Sequence, residues 1–154
     1  MKTATDILAA ILERPTDLAH VRSLVTDDLT YVSLNHDNPD LHRIMPWCGT
    51  HLNAGPASIV QTFFDVDHYW EKLSFETDAL FGTDEYAALF GRFRYRSRVM
   101  SQVVDTPFAV FAKVRDGRCH YLQFMEDTLA TSASFRSGGA WTFRSNPNGE
   151  EVTF

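Results

Sequence analysis

The first half of the chain carries apolar side chains at helical spacing. A first helix is predicted between Thr3, a suitable cap, and Pro15, which ends it. Its apolar stripe consists of Ile7, Leu8, Ile11 and Leu12. A second short helix is predicted after Thr16-Asp17. A third is predicted to open at Gly55-Pro56, because proline is favoured at the first helical position. The seam of this third helix consists of Ile59, Phe63, Val66 and Trp70.

The second half alternates apolar and polar residues, which is the period of β-strands. The predicted strands cover residues 29–34, 72–81, 86–97, 108–114 and 118–127. A polar loop is predicted over 35–54 and a short closing helix over 128–135. Short, turn-rich connections favour antiparallel pairing of the later strands. Helices followed by a meander of strands predict an α+β fold, with the helices on one face of the sheet.

Composition and charge narrow the function classes. A chain of 154 residues fits one domain with a core of its own. Aromatic residues make up 13% of it and include twelve phenylalanines, which favours a phenylalanine-built core, an aromatic-walled ligand cavity, or both. The net charge of −6 argues against binding to nucleic acid or to anionic membranes.

Two features indicate the cellular compartment. Cys48 and Cys119 lie far apart without a C-x-x-C pair, which argues against a disulfide framework or a zinc knuckle and favours reduced thiols. The apolar run 7–12 is short and is flanked by Asp6 and Glu13, unlike a signal peptide or a membrane span. We therefore expect a cytoplasmic protein.

The order of the predicted elements, helix–helix–strand–helix and then four strands, resembles the nuclear transport factor 2-like superfamily over residues 3–136. Its markers here are Asp27-Asp28 before the first strand, Gly55-Pro56, Asp116-Gly117, and the strand end 123–128, which is similar to that of SnoaL-like proteins. The resemblance implies a cystatin-like roll, in which three N-terminal helices cover the concave face of a cone-shaped, curved, mixed or antiparallel sheet. It also implies a domain over 1–136 and an extension over 137–154. Because this fold hosts isomerases, hydrolases, cyclases and binding modules, it does not fix the chemistry.

The catalytic patterns of two relatives do not match this sequence. The resemblance to ketosteroid isomerase puts its Asp base near Ser33 and its protonated Asp within 108–111, where there is no acid. The resemblance to limonene epoxide hydrolase puts its first Asp and its Arg within 89–93, which holds no Asp, and its second Asp near Phe124. Both activities are therefore rejected. The SnoaL-like cyclases, which use an acid of the last strand, remain.

Glu126 is the leading catalytic candidate. Alternation with Leu122 and Phe124 points it inward, whereas Asp127 faces the other way and is a candidate helix cap. A carboxyl group among phenylalanines has a raised pKa and can serve as a general acid or base. The alternatives for Glu126 are an ion pair with an arginine and a place at the sheet rim.

The remaining candidates surround the predicted pocket. Tyr31 is a candidate hydrogen-bond donor to a ligand, and the alternative is a half-buried tyrosine of the core. His36 is a candidate acid/base at the pocket mouth, and the alternative is a solvated loop residue. Trp47 is expected to act as a lid and Gln123 as an orienting donor. The candidate ligand-binding residues are Trp47, Phe63, Phe93, Tyr95, Phe108, Gln123 and Phe124.

Several other polar groups have a structural interpretation. The loop residues His36, Asp37, Asp40 and His42 match no metal motif, and neither a metal nor a cofactor is predicted. Cys48 has no histidine-plus-acid pattern that would activate it as a nucleophile. One strand face carries Arg92, Arg94, Arg96 and Arg98. These arginines are expected to pair with cross-strand acids such as Glu76 and Asp78, with anion binding or contact with a second subunit as alternatives.

Two functions remain open. The first is a SnoaL-like acid/base enzyme that cyclises, isomerises or hydrates a small apolar substrate, and the second is a non-catalytic module that binds a small apolar ligand. A buried ionisable group that points into the cavity would favour catalysis.

The resemblance also implies a homodimer, since relatives often pair through the sheet. Trp141, Phe143 and Phe154 predict that the extension packs on the domain or on a partner subunit.

Overall fold

The computed structural model describes residues 2–154 and consists of helices followed by a meander of strands. The helices are α1 (Ala4–Glu13), α2 (Leu18–Leu24), α3 (Pro39–Ile44), α4 (Pro56–Tyr69) and α5 (Thr128–Ala133). The strands are β1 (Val25–Ser33), β2 (Gly49–His51), β3 (Trp70–Gly82), β4 (Tyr86–Ser97), β5 (Val103–Arg115), β6 (Arg118–Glu126), β7 (Thr142–Phe143) and β8 (Val152–Thr153). The predicted α+β class is confirmed.

Six strands form one mixed sheet in the order β2-β1-β6-β5-β4-β3. Neighbouring strands pair antiparallel except β1 and β6, which pair parallel because the chain crosses over between them. Helix α1 packs across β3, β4, β5 and β6, and α4 packs on β1 and β3. We call the side of the sheet that these helices cover the inner face, and the opposite side the outer face. Strands β7 and β8 form a separate two-stranded ribbon.

Helix α1 forms where the sequence predicts it, and its start is a capping box. The Asp6 amide donates to Thr3 Oγ1 over 3.2 Å, and the Thr3 amide donates to Asp6 Oδ2 over 2.9 Å. The apolar side chains of the helix pack into the core, where Ile7, Leu8 and Ile11 are fully buried. No helix within residues 2–154 has both the length and the apolar character needed to cross a bilayer.

Several boundaries differ from the prediction, and among them β5 begins at Val103 rather than at 108. The loop 35–54 holds α3, because the Asn38 side chain accepts from the Leu41 amide over 3.0 Å and Pro39 occupies the first turn, so four helices precede β3 instead of three. β1 begins at Val25 rather than at 29, because Val25 already pairs with Cys119 of β6. Trp70 begins β3 instead of ending the third helix, and its amide donates to the Val66 carbonyl.

Strand β4 alternates strictly between the two faces of the sheet. Its inner positions are buried, and they are occupied by Ala87, Leu89, Gly91, Phe93, Tyr95 and Ser97. Gly91 is the one inner position without a side chain, and the Phe108 ring of β5 fills the space above it. A Cβ atom at position 91 would lie 2.6 Å from Phe108 Cε1 and would also clash with the Glu76 carbonyl oxygen. The close approach of this ring therefore requires glycine.

We expect Gly91→Ala to destabilise the fold by about 1–3 kcal/mol, because the added methyl group must displace the Phe108 ring or the β3 backbone. Urea denaturation followed by circular dichroism measures this change. Gly138→Ala is the matched control, since a Cβ there meets no atom within 4 Å, and its effect should stay within about 0.5 kcal/mol. Equal stability of the two variants would contradict the packing of Phe108 against Gly91.

Candidate functional site

A small cavity lies between α4 and the inner face of β1, β4 and β6. Its volume is about 20 Å³, which is room for a single water molecule. The half-buried side chains Phe63 and Val66 of α4 line one side of it. Ligand pockets are usually several hundred cubic ångströms. Side chains around this cavity must therefore move before it can hold a metabolite.

Most of the predicted site residues converge on this cavity. β1 contributes Tyr31, β4 contributes Phe93 and Tyr95, and the segment before β2 contributes Trp47. The predicted site residues that line the cavity are Tyr31, Trp47, Phe63, Phe93, Tyr95, Phe124 and Glu126. Trp47 is buried and meets Tyr69 and Trp70 edge-on, with ring centroids 4.9 and 5.2 Å apart. Its indole therefore belongs to the cavity wall.

Three predicted site residues lie elsewhere. The His36 side chain is exposed on the loop after β1, and its carbonyl accepts from Thr50. Gln123 faces away from the cavity because it alternates with Phe124, and its side chain accepts from the Tyr121 hydroxyl over 3.0 Å. Phe108 lies behind Phe124, with the two rings stacked 5.2 Å apart. We therefore correct the predicted positions of all three.

The cavity also contains residues that the sequence did not single out as site residues. They are Ser33, Leu34, Thr62, Val66 and Trp70. Ser33 shares the strand face of Tyr31, so simple alternation could have included it. Leu34 joins the same side only because its positive φ of 68° breaks the alternation. Val66 and Trp70 belong to the helical seam, which predicted burial but not a cavity.

The Glu126 carboxyl is the central polar group of the cavity. It ends β6 opposite Phe108, and its Oε2 atom is buried without a hydrogen-bond partner among residues 2–154. Burial raises the pKa of Glu126 to about 8, a rise that the nearby Thr131 hydroxyl opposes and the charge of Asp127 reinforces. Asp127 itself caps α5 by accepting from the Ala130 amide, as predicted. At neutral pH most Glu126 side chains therefore carry a proton.

The neighbouring ionisable groups also stay protonated. Burial raises the pKa of the Tyr31 and Tyr95 hydroxyls, and a negative charge on Glu126 would raise both further. Burial likewise raises the pKa of the Cys48 thiol to about 12, and the Glu126 charge adds to that effect as well. A thiol with this pKa is a poor nucleophile at neutral pH. The cavity thus presents hydroxyl donors and one neutral carboxyl group.

A buried hydrogen-bond network fixes the end of the cavity near α5. Trp70 Nε1 donates to Ser134 Oγ over 3.0 Å, and Ser134 Oγ donates to the Thr131 carbonyl over 2.7 Å. Ser97 Oγ donates to the Ser134 carbonyl over 2.6 Å. The Phe135 ring then packs on Trp70, with centroids 4.7 Å apart. These contacts tie α5 to β3 and β4 beside the cavity wall.

The polar groups with a structural interpretation make structural contacts. Arg92 pairs with Glu76 and Asp78 on the outer face, both over 3.4 Å, as predicted. His42 Nδ1 contacts the Cys48 carbonyl oxygen over 3.0 Å. Within residues 2–154, no three His, Cys, Asp or Glu side chains lie together in a way that could hold a metal ion.

Sequence comparison relates the chain to two curated fungal proteins. It is 44% identical over 135 residues to patulin synthesis protein F of Aspergillus clavatus, covering 86% of this chain and 68% of that protein. It is 38% identical over 152 residues to patulin biosynthesis cluster protein F of Penicillium expansum, covering 96% of this chain and 76% of that protein. The chain belongs to the patulin synthesis protein F family. No protein-family model matches the sequence.

Structural comparison relates the fold of this family member to solved structures. A nuclear transport factor 2-like protein of Burkholderia thailandensis superposes with a TM-score of 0.73 at 19% identity, covering 88% of this chain and 99% of that one. IdmH of Streptomyces antibioticus, a proposed polyketide cyclase, superposes with a TM-score of 0.65 at 13% identity. The superposition covers 85% of this chain and 96% of IdmH. The nuclear transport factor 2-like fold that the sequence resembles is therefore confirmed.

The raised pKa of Glu126 makes stability depend on pH. The unfolded chain releases this proton near pH 4.5 and the folded chain near pH 8, so the contribution of Glu126 is full below 4.5, falls between these values and is lost above 8. Between pH 5.5 and 7.5, the free energy of unfolding of wild type should fall by about 2–3 kcal/mol relative to that of Glu126→Gln, because the glutamine cannot ionise. Urea denaturation at both pH values measures this difference.

Glu13→Gln, which removes an exposed carboxylate of α1, is the control for this measurement and should follow wild type. If wild type and Glu126→Gln lost the same stability between the two pH values, the carboxyl would not be buried in its neutral form.

Proposed function

We propose that this protein is an acid/base enzyme that acts on a small uncharged metabolite, with Glu126 as the group that donates and accepts the proton. One observation carries the proposal: a carboxyl group with a buried, unpartnered oxygen lies in the cavity, and its pKa is raised to about 8. A general acid or base works best when its pKa lies near the working pH. A carboxyl group with an ordinary pKa would be ionised and could not act as the acid.

The lining of the cavity supports an uncharged substrate. Among the described residues that line it, none is a lysine, an arginine or a histidine, so an anionic ligand would lack a counter-charge. The polar groups are the Tyr31 and Tyr95 hydroxyls, the Ser33 hydroxyl and the Glu126 carboxyl, which suit carbonyl and hydroxyl oxygens. The surrounding rings of Phe63, Phe93 and Phe124 suit an apolar ring or chain.

These groups support proton transfer in two steps. Neutral Glu126 donates its proton to a substrate oxygen and becomes a carboxylate, which its apolar surroundings disfavour. The carboxylate then takes a proton from the substrate, for example from a carbon beside a carbonyl group, and Glu126 returns to its first state. Tyr31 is close enough for its pKa to depend on the Glu126 charge, so its hydroxyl is the candidate donor of a second hydrogen bond that positions the same substrate oxygen. The net result is an isomerisation, the simplest of the reactions open to such a site.

The relatives support a role in secondary metabolism. Both curated relatives are named for the synthesis of patulin, and IdmH is a proposed polyketide cyclase. We propose that this chain acts on an intermediate of patulin synthesis or of a similar pathway. A non-catalytic ligand-binding module is the second candidate, and the aromatic lining of the cavity favours it, because such walls bind apolar metabolites without chemistry.

Genetic complementation tests the enzyme against the binding module. We expect this chain to restore patulin production in a Penicillium expansum strain that lacks its cluster protein F. Glu126→Gln should lower the rate of product formation by about 10²–10⁴-fold, because it removes the proton that is transferred. Glu13→Gln, an exposed carboxylate on α1, should behave as wild type. Liquid chromatography with mass spectrometry of the cultures measures the product.

An assay with purified protein distinguishes the enzyme from the binding module. Culture filtrate of the deleted strain is incubated with each variant, and wild type should consume one mass feature that Glu126→Gln leaves intact. If Glu126→Gln consumed it at the wild-type rate, Glu126 would not be the acid/base. If wild type consumed nothing but retained a filtrate component in native mass spectrometry, the binding module would replace the enzyme.

Tyr31→Phe probes the proposed donor in the same filtrate assay. Loss of the hydroxyl that positions the substrate oxygen should lower turnover by about 10²-fold. The fold should persist, because the phenyl ring keeps the apolar contacts of the buried tyrosine. Wild-type turnover in Tyr31→Phe, with an unchanged thermal melt, would remove Tyr31 from the mechanism.

A further inference from the structure

Leu34 follows the last residue of β1, and its side chain lies on the side of the sheet that strand alternation would not give it. Tyr31 and Ser33 face the cavity, so alternation would place Leu34 with Val32 on the opposite side. Leu34 nevertheless lines the cavity, and only 8% of it is accessible. The end of β1 therefore contributes two consecutive side chains, Ser33 and Leu34, to the same wall.

A tight turn of the backbone produces this placement. Leu34 has a φ of 68°, and the Asn35 amide donates to the Ser33 carbonyl across it over 2.8 Å. A hydrogen bond from residue i+2 to residue i around a central residue with positive φ is the mark of the rare and strained form of the γ-turn. The Leu34 amide donates to the Phe124 carbonyl of β6 over 2.8 Å. Hydrogen bonds therefore fix the backbone on both sides of the Leu34 side chain.

Leucine is an unusual residue for this conformation. The other non-glycine residues with positive φ in the part of the chain that the structure describes are Asn53, Ser101 and Asp116, which are polar and exposed. Asparagine and aspartate tolerate a positive φ because their short side chains form local hydrogen bonds, and glycine has no Cβ atom to clash. Leucine has neither advantage. Residues that are held in strained conformations concentrate at ligand sites, where the surrounding structure keeps them in place.

The Leu34 side chain fills space that a ligand would use. With this side chain in place, the volume of the cavity is about 20 Å³. Truncation of one buried leucine in a close-packed core can leave a cavity of roughly 150 Å³, which is enough to bind benzene. The presence of this one side chain therefore changes the available volume by about one six-membered ring.

The other apolar residues of the wall move more readily than Leu34. Phe63 and Val66 of α4 are half-buried and form their side of the cavity through apolar contacts, so a ligand can displace them without breaking a hydrogen bond. Leu34 instead extends from a backbone that the hydrogen bonds of Asn35 and Phe124 hold in place. The limit on ligand size therefore lies on the β1 side of the cavity.

We propose that Leu34 determines the size of the ligand that the cavity accepts, because the turn after β1 holds its side chain in the space that a second ring would need. The α4 side chains make room for a compact molecule with one ring, and Leu34 excludes a molecule with two fused rings. The proposal rests on the proposed function in one respect, namely that the cavity takes an uncharged ligand. It applies both to an enzyme and to a binding module.

Titration with two neutral cyclic ketones tests this proposal, because cyclohexanone has one ring and 1-decalone has two fused rings. The indole N–H signals of the three tryptophans in ¹⁵N–¹H NMR spectra report binding. Trp47 and Trp70 line the cavity, whereas Trp141 lies beside Phe154 at the base of the β7–β8 ribbon and serves as the internal reference. In wild type, cyclohexanone should shift the first two signals at a lower concentration than 1-decalone does.

Leu34→Gly should lower the dissociation constant of 1-decalone at least about tenfold and change that of cyclohexanone by less than about threefold, because even one methylene of an apolar pocket alters binding about tenfold or more. Glycine adopts a positive φ freely, so the turn keeps its shape. Leu34→Ala truncates the same side chain and should act in the same direction. Val32→Ala is the matched control, because Val32 is fully buried on the same strand but does not line the cavity. It should retain the wild-type size preference.

Thermal melts of Leu34→Gly and Leu34→Ala test the strained turn without any ligand. In a regular strand the glycine variant is the less stable of the two, because glycine loses more conformational freedom on folding. At a φ of 68° alanine is strained and glycine is not, so Leu34→Gly should melt at the same temperature as Leu34→Ala or higher. A clearly higher melting temperature for Leu34→Ala would overturn the proposal, since the turn would then not hold residue 34 at a positive φ.

The titrations distinguish a failure of this proposal from a failure of the proposed function. If wild type bound cyclohexanone but neither variant of Leu34 bound 1-decalone more tightly than wild type, Leu34 would not limit the ligand, and the proposed function would stand. If Val32→Ala gained as much affinity for 1-decalone as Leu34→Gly, the effect would not belong to the cavity wall. If no protein bound either ketone, the cavity would not be a ligand site, and both proposals would fall.

Discussion

The position of β6 between β5 and β1 determines what the inner face of the sheet contains. Pairing with β5 sets Glu126 opposite Phe108, and parallel pairing with β1 sets Leu122 opposite Tyr31 and Phe124 opposite Ser33. Because paired residues share a side of the sheet, these two registers bring the carboxyl group and the Tyr31 hydroxyl to one cavity. A shift of β6 by one residue would turn Glu126 outward and place Met125 on the inner face.

Glu126 stays neutral because burial disfavours its ionised form. An unpaired carboxylate in an apolar interior is very costly, and no cation lines the cavity among the described residues. The proton therefore stays on Glu126, and the same burial keeps Tyr31, Tyr95 and Cys48 protonated. The result is a cavity that is polar without being charged. Its unpartnered oxygen lowers stability, because a buried polar atom without a hydrogen bond loses the solvation it would have in water.

The sequence predicted the features that depend on periodicity and missed those that depend on local backbone geometry. Alternation correctly turned Glu126 and Phe124 inward and the arginines of β4 outward. The same alternation turns Gln123 outward, so its predicted role as an orienting donor is inconsistent with its strand position. Leu34 reached the cavity through a positive φ, which no spacing rule reveals for a leucine. Phe108 lies on the inner face as predicted. Its ring, however, packs over Gly91, which has no side chain, and does not line the cavity.

The small volume of the cavity limits how a ligand can enter. On the α5 side, entry would break the buried hydrogen bonds that join Trp70, Ser134 and Ser97, each worth about 1–3 kcal/mol once a partner is left unsatisfied. On the α4 side, Phe63 and Val66 are half-buried and form the wall through apolar contacts alone. Rotation of such side chains costs no hydrogen bond. Entry past α4 is therefore the cheaper route, and it leads directly to the Glu126 carboxyl while leaving the outer face of the sheet undisturbed.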